Sequence, residues 1–292
     1  MNTVFTLPEF RQSEKSKEEH YLVIGHPISH SLSPIMHQTA LNHYGKHTRY
    51  FALDLSPDDV NSFIAWCSRD EFLGCNITIP YKELFMEVVD EVDPFAKHVG
   101  VINTIVKDEG RLVGYNTDVY GFSEPLKPFL ESAESLSAIV FGTGGSSKAV
   151  KKALEETGFE KIVFVSRNAS DKVIKSDSAE IYLVDYNQWQ AYAEDAALIV
   201  NTTPLGMHPN IEQSPLSADD GPLLNGKICY DLVYNPKETT FLKLVQKHGG
   251  KPVYGLEMLI YQGSRAFELW TGKPFPVEKV RNTLTTYFGL ND

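Results

Sequence analysis

The sequence predicts an α/β fold in two parts: a small parallel-sheet α/β domain, then a second domain built on a longer run of βα units, with C-terminal helices packing back on the first. Three observations predict it. Short apolar runs alternate with helical patterns along most of the chain, the sequence form of parallel sheets with crossover helices. An apolar strand at 139–141 enters Gly142-Thr143-Gly144-Gly145-Ser146-Ser147-Lys148-Ala149 and then an amphipathic helix. After the last strand, 251–254, come two helical stretches, 255–270 and about 277–288, that belong to no further βα unit. The expected domains are 1–117 with 255–292, and 118–254.

Taken in order, residues 1–20 are polar, contain Pro8 and a Lys/Glu-rich run, and are expected to form a loose tail. They carry no apolar segment of the kind a secretion signal needs. A strand at 21–25 then runs into His26-Pro27-Ile28-Ser29-His30-Ser31-Leu32-Ser33-Pro34 and a helix. Ser33 before Pro34 has the form of an N-cap with proline at the first helical position. A helix start with extra hydroxyls is also a seat for a carboxylate, and both roles can coexist. A strand at 49–53, a helix at 57–67 and a short strand at 74–80 follow, the last delivering Tyr81-Lys82 to the head of another helix. Residues 100–104 and 114–118 frame the Asp108-Glu109-Gly110 turn as a hairpin at the edge of the first domain. Asp118 then opens a helix, where the dipole favours an acid whatever else it does. Lys82, read alone, is a solvated lysine.

The glycine-rich turn carries the chemistry. Gly142 permits the tight turn, and Gly144 and Gly145 remove the Cβ atoms that would hold a pyrophosphate off the backbone N–H groups. The helix N-terminus then faces the phosphates. Ser147 stands where a third glycine is usual. The next strand ends in Ser166-Arg167-Asn168, roughly 24 residues after Gly142, where the second strand of a Rossmann-type dinucleotide-binding domain meets the adenosine ribose. An NAD site would place an acid there. Arg167 offers a planar charged fork suited to a 2′-phosphate, which points to NADP. Further strands at 181–184, 198–202 and 227–233 end in the loops Asn201-Thr202-Thr203-Pro204-Leu205-Gly206-Met207 and Tyr230-Asp231-Leu232-Val233-Tyr234-Asn235-Pro236. Ligands bind outside such carboxyl ends.

Composition narrows the function classes. The net charge of -11 opposes nucleic acid or an anionic membrane surface as a partner, so an anionic small molecule would need local positive residues. The three cysteines, Cys67, Cys75 and Cys229, lack C-x-x-C spacing and are too few for a disulfide framework, which fits a reducing cytoplasm. No segment has the ~18 unbroken apolar residues of a membrane span. His26 and His30 are four apart but flank a proline in a loop, so no metal is expected, and Gly-x-Ser-x-Gly is absent.

Seven ordered segments, Ser31 to Pro34, Gly74 to Lys82, Val101 to Thr104, Gly114 to Asp118, Gly142 to Ala149, Asn201 to Met207 and Gly255 to Gln262, resemble the shikimate dehydrogenase family over nearly the whole chain from Tyr21 onward. The resemblance implies NADPH-dependent reduction of 3-dehydroshikimate to shikimate in aromatic amino-acid precursor synthesis, by a cytoplasmic monomer or homodimer. It assigns the catalytic lysine to Lys82 and its aspartate partner to Asp118. Ser31, Ser33, Thr78 and Tyr234 become the hydroxyls that hold the substrate carboxylate, with Asn103 and Gln262 at the ring hydroxyls. Cofactor contacts fall to Gly142, Gly144, Gly145 and Ser146 at the turn, to Ser166, Arg167 and Asn168 at the ribose, and to Thr202 and Gly255. The chain departs from the family pattern at His26, where asparagine is common, at Glu257, a frequent glycine, and at Asp171, where a second basic residue often stands; Lys172 beside it can substitute.

The residue types suit the reaction. Reducing a ring ketone requires a hydride from the nicotinamide, a proton donor at the carbonyl oxygen, and walls that fix the ring. Lys82 can donate the proton and Asp118 can orient it, and the sequence leaves open which of the two carries it. Two other readings stand beside this one: a quinate/shikimate dehydrogenase using NAD or NADP, and a non-catalytic ligand-sensing relative. The presence of both Lys82 and Asp118 argues against the second.

Overall fold

In the computed structural model the described residues are 3–130, 136–167, 169, 172–176 and 178–291. The chain divides into two compact units, Met1–Thr117 with Ile260–Asp292, and Asp118–Leu259.

The first unit contains β1 (Val4–Thr6), α1 (Leu7–Gln12), β2 (His20–Gly25), α2 (Ser33–His43), β3 (Arg49–Asp54), α3 (Val60–Trp66), β4 (Phe72–Ile77), β5 (Glu91–Val92), α4 (Pro94–Val99), β6 (Thr104–Asp108) and β7 (Arg111–Tyr115). Its sheet runs β1-β3-β2-β4-β6-β7-β5. From β1 to β4 the pairing is parallel, as the βα alternation predicts, but β4–β6 and β6–β7 are antiparallel. The sheet is therefore larger and more mixed than expected. Its apolar core gathers Leu22 and Ile24 of β2, Leu53 of β3, Phe63 of α3, and Phe72, Cys75 and Ile77 of β4. The predicted hairpin forms with Asp108 opposite Arg111. Its two turn residues both have positive φ, 48° at Glu109 and 83° at Gly110, the twist that a two-residue hairpin requires. β5 pairs outside β7, so the hairpin lies one strand in from the edge.

Two expectations are corrected here. The N-terminal segment is not a loose tail: β1 adds to the sheet edge beside β3, and α1 follows it directly. The Thr6 backbone and hydroxyl both donate to Glu9 Oε2 at 2.8 Å, one half of a capping box, and Leu7 and Phe10 are buried. Phe10 packs edge-on against Trp66 at 5.6 Å, so this polar-looking stretch is held by two apolar anchors. Lys82 does not head an α-helix. It sits in a turn before a single 3-10 turn at Leu84–Met86.

The second unit contains α5 (Asp118–Leu130), β8 (Ser137–Phe141), α6 (Gly145–Glu156), β9 (Lys161–Val165), β10 (Lys172–Lys175), β11 (Glu180–Val184), β12 (Leu198–Asn201), β13 (Ile228–Asp231), α7 (Thr240–Lys247), β14 (Lys251–Val253) and the start of α8 (Gly255–Thr271). Its sheet order is β10-β11-β9-β8-β12-β13-β14. Without β10, an antiparallel strand that the sequence reading did not include, the order counted from β8 is 3-2-1-4-5-6, that of a doubly wound dinucleotide-binding sheet. The remainder of α8, and α9 (Val277–Asn291), belong to the first unit. There Trp270 Nε1 donates to the Ile105 carbonyl at 2.9 Å, and α9 lies along α2. The close approach needs Gly74, where a Cβ would stand 2.7 Å from Trp270 Nε1. The C-terminal helices do pack on the first domain.

Candidate active site

In the first unit, the expected substrate residues sit at the carboxyl ends of β2 and β4 and beside the hairpin. Ser31 and Ser33 meet at the start of α2, where the Ser33 N–H donates to Ser31 Oγ at 3.3 Å. Ser33 is the first helical residue and makes no side-chain cap, which corrects the N-cap reading. Its side chain is buried. A buried chain of hydrogen bonds starts on β3: Tyr50 Oη donates to Asn76 Oδ1 at 2.7 Å, Asn76 Nδ2 to Thr104 Oγ1 at 3.1 Å, and Thr104 Oγ1 to Asn103 Oδ1 at 3.2 Å. Asn103 Oδ1 also accepts from the Thr117 N–H at 2.8 Å, while Asn103 Nδ2 donates to Thr117 Oγ1 at 2.9 Å and to Gln262 Oε1 at 3.5 Å.

Asn103 and Gln262 are thus brought together, and Asn103 is held by groups that were not among the expected residues: Tyr50, Asn76, Thr104 and Thr117. The available signal was polar residues at strand positions that face the core. Burial pushes the Tyr50 hydroxyl well up, so it stays a neutral donor. Thr78, half-buried, follows β4 and donates its N–H to the Ile24 carbonyl at 2.9 Å. Lys82 is half-buried, and its carbonyl accepts from the Ile102 N–H at 3.1 Å, which anchors its turn to the strand entering Asn103. Asp118, the first residue of the second unit, is buried at the start of α5.

In the second unit, β8 ends in Gly142 with φ 104°, and a Cβ there would lie 2.6 Å from Thr202 Oγ1. Only glycine fits this turn. Thr202 in turn donates through Oγ1 to the Phe141 carbonyl at 2.7 Å, so the glycine turn and the end of β12 are one assembly. A Cβ on Gly144 or Gly145 would face open space, and α6 begins at Gly145, beside Ser146, without a side-chain cap. An open glycine turn ahead of an uncapped helix suits a pyrophosphate, which would take those N–H groups as its partners. Ser147 is buried and donates to the Gly144 carbonyl at 2.6 Å, which gives the place of the third glycine a locking role. Ser166 and Arg167 follow β9, with Arg167 exposed and its charge felt by Tyr186. Asn168 and Asp171 lie outside the described residues. Tyr234 is half-buried in the loop after β13, and desolvation pushes its hydroxyl up to about 12. Gly255 is packed on that same loop, where a Cβ would stand 2.6 Å from the Val233 carbonyl oxygen.

Among the described residues no group of three His, Cys, Asp or Glu could hold a metal ion, and no helix is long and apolar enough to cross a membrane.

The 3-2-1-4-5-6 sheet, the open glycine turn and the separate mixed-sheet unit define the architecture of a two-domain, dinucleotide-dependent dehydrogenase. A family model described as the shikimate dehydrogenase substrate binding domain matches residues 23–105, and one described as the shikimate 5′-dehydrogenase C-terminal domain matches 255–285. A shikimate dehydrogenase (NADP(+)) of Moorella thermoacetica is 36% identical over 92% of this chain and 93% of its own. The shikimate 5-dehydrogenase of Thermus thermophilus, solved with NADP(H) and shikimate, is 34% identical with a TM-score of 0.78, covering 91% of this chain and 98% of its own. A quinate dehydrogenase from Corynebacterium glutamicum, solved with NAD, is 28% identical with a TM-score of 0.81, covering 92% of this chain and 99% of its own. The chain belongs to the shikimate dehydrogenase family.

Proposed function

We propose that the protein catalyses the reversible NADPH-dependent reduction of 3-dehydroshikimate to shikimate, with the first unit holding the substrate and the second the cofactor. The observation that carries this reading is the coexistence of two sites in one chain of this family. One is the open glycine turn at Gly142–Gly145, and the other is the cluster of hydroxyls and amides running from Tyr50 to Asn103 and Gln262. NADPH supplies the hydride when bound. Lys82 gives the carbonyl oxygen its proton during reduction and Asp118 orients that donor; oxidation reverses the transfer. Ser31, Ser33, Thr78 and Tyr234 hold the ring carboxylate, and Asn103 with Gln262 fixes the hydroxyls. Asn103 suits this because Thr104, Thr117 and Gln262 hold its amide in one orientation. The chain acts in the cytoplasm, a reading supported by three free, buried cysteines, and works as a monomer or homodimer. The net charge of -11 opposes a nucleic-acid or anionic-membrane partner, which supports a small-molecule role.

Two expected results test the assignments. Removing a hydrogen bond to a charged group costs on the order of 1.5 to 3 kcal/mol, so Ser31→Ala and Ser33→Ala should each raise the Kd for shikimate roughly tenfold or more while sparing NADP affinity. A Ser33→Ala protein with lowered Tm and unchanged shikimate affinity would give Ser33 a structural role only. For the cofactor, one charge-assisted contact from Arg167 predicts a ten- to hundred-fold preference for NADP over NAD, at about 1.4 kcal/mol per tenfold. Arg167→Ala should erase most of it by raising the KM for NADP alone. Equal kcat/KM for the two cofactors in the unmodified protein would favour the dual-cofactor quinate/shikimate reading.

A further inference from the structure

We propose that Asp231 is a positioning residue whose single carboxylate sets two strand-end loops of the second unit, the one that carries Thr202 and the one that carries Tyr234. The inference rests on the proposed function, in which Thr202 meets the cofactor and Tyr234 the substrate carboxylate.

β12 and β13 are parallel neighbours, and their last residues, Asn201 and Asp231, are register partners. Both side chains are fully buried, as is Thr239. Asp231 Oδ1 accepts from Asn201 Nδ2 at 3.0 Å and from the Val233 N–H at 3.0 Å, and Oδ2 accepts from Thr239 Oγ1 at 2.5 Å. Each donor extends the carboxylate's influence. Asn201 Oδ1 accepts from the Thr203 N–H at 3.0 Å and the Thr203 hydroxyl at 2.6 Å, while Asn201 Nδ2 also reaches the Leu205 carbonyl at 3.2 Å. The loop around Thr202 is therefore wound on the Asn201 amide. On the other side, Thr239 caps α7 by accepting from the Leu242 N–H at 3.3 Å, so the bonds to Val233 and Thr239 clamp both ends of the loop that contains Tyr234. The two loops also touch, since a Cβ on Gly206 would stand 3.4 Å from Thr239 Cβ.

Three donors converge on two oxygens, and only an ionised carboxylate accepts all of them without presenting a donor of its own. Fold stability does not account for the choice. Desolvation pushes the Asp231 carboxyl up to about 6 despite those three bonds, so at neutral pH the ionised group weakens the fold relative to a neutral one. What the charge provides is a fixed geometry for loops with different ligands.

The test is Asp231→Asn, which keeps the shape and removes the charge, but turns an NH2 toward the Thr239 hydroxyl. KM for NADP and KM for shikimate should both rise about tenfold, with kcat at saturation changed less and Tm retained. Thr239→Val should raise both KM values in the same way, and Thr239→Ser, which keeps the hydroxyl, should restore them. If Asp231→Asn does not fold, the Val/Ser pair at 239 decides the matter. Wild-type KM values for both ligands in Asp231→Asn or Thr239→Val would overturn the positioning role and leave the proposed function standing. A wild-type protein that does not oxidise shikimate with NADP would overturn the function instead, and direct titration of NADP into Asp231→Asn would still read the Thr202 arm.

Discussion

Lys82→Ala lowers kcat for shikimate oxidation by about 10²- to 10⁴-fold, the usual range for loss of a general acid or base, with a smaller change in KM. The turn that carries Lys82 is held by its own backbone, through the bond from the Ile102 N–H to the Lys82 carbonyl at 3.1 Å. Truncating the side chain therefore removes the ammonium group and leaves the loop in place. Asp118→Asn should be severely impaired as well, and the double variant should lose less than the product of the two single effects if, as proposed, Asp118 serves the proton transfer of Lys82. Stopped-flow or steady-state rates at saturating shikimate and NADP check this. A Lys82→Ala protein with near-normal kcat would remove Lys82 from the chemistry.

The largest effect on stability is expected from His37. It is buried in α2, stacked on Tyr50 with ring centroids 4.5 Å apart and packed against Trp270, and neither ring nitrogen has a hydrogen-bond partner. Burial pushes its pKa down to about 3, against a smaller opposing contribution from the Asn76 side chain. Unfolded, the ring titrates near 6.5. Between those values the unfolded chain binds a proton that the folded chain does not, so stability falls as pH drops below about 6.5 and keeps falling toward 3. At about 1.4 kcal/mol per pKa unit, the full loss approaches roughly 5 kcal/mol. Asp231 acts with the opposite sign between its unfolded value near 3.8 and its folded value of about 6, where the folded chain holds the extra proton. Urea denaturation at several pH values should show the acid slope, and His37→Phe should flatten it by about 1.4 kcal/mol per pH unit over 4–6. An unchanged slope in that variant would mean that His37 is protonated without cost in the folded protein.

What the sequence discloses depends on whether a feature is local. The turn at Gly142 is readable because strand, glycines and helix are contiguous, and its positive φ of 104° is what a glycine there predicts. The Asp108–Arg111 hairpin and the helix starts at Asp118 and Gly255 are legible for the same reason. The N-terminal strand and helix were obscured by their charge: the Thr6–Glu9 capping box was present, but only two buried apolar residues, Leu7 and Phe10, back it. The chain from Tyr50 through Asn76 and Thr104 to Asn103 depends on the register of β4 against β6, which no spacing along the sequence encodes. The same holds for Asn201 and Asp231, which are 30 residues apart and meet only because β12 and β13 pair in register. Ser33 illustrates a local rule overridden, since the helix starts one residue earlier than the Ser-Pro pair suggests and leaves Ser33 inside its first turn rather than at the cap.

The most direct test follows formation of reduced cofactor, NADPH or NADH, by absorbance with purified protein and four combinations, shikimate or quinate with NADP or NAD. The account predicts turnover with shikimate and NADP, a kcat/KM for NADP ten- to a hundred-fold above that for NAD, and slower oxidation of quinate, whose extra ring hydroxyl the site would have to accept. Oxidation of quinate with NAD at a higher kcat/KM than shikimate with NADP, or no turnover of shikimate with either cofactor, would contradict it.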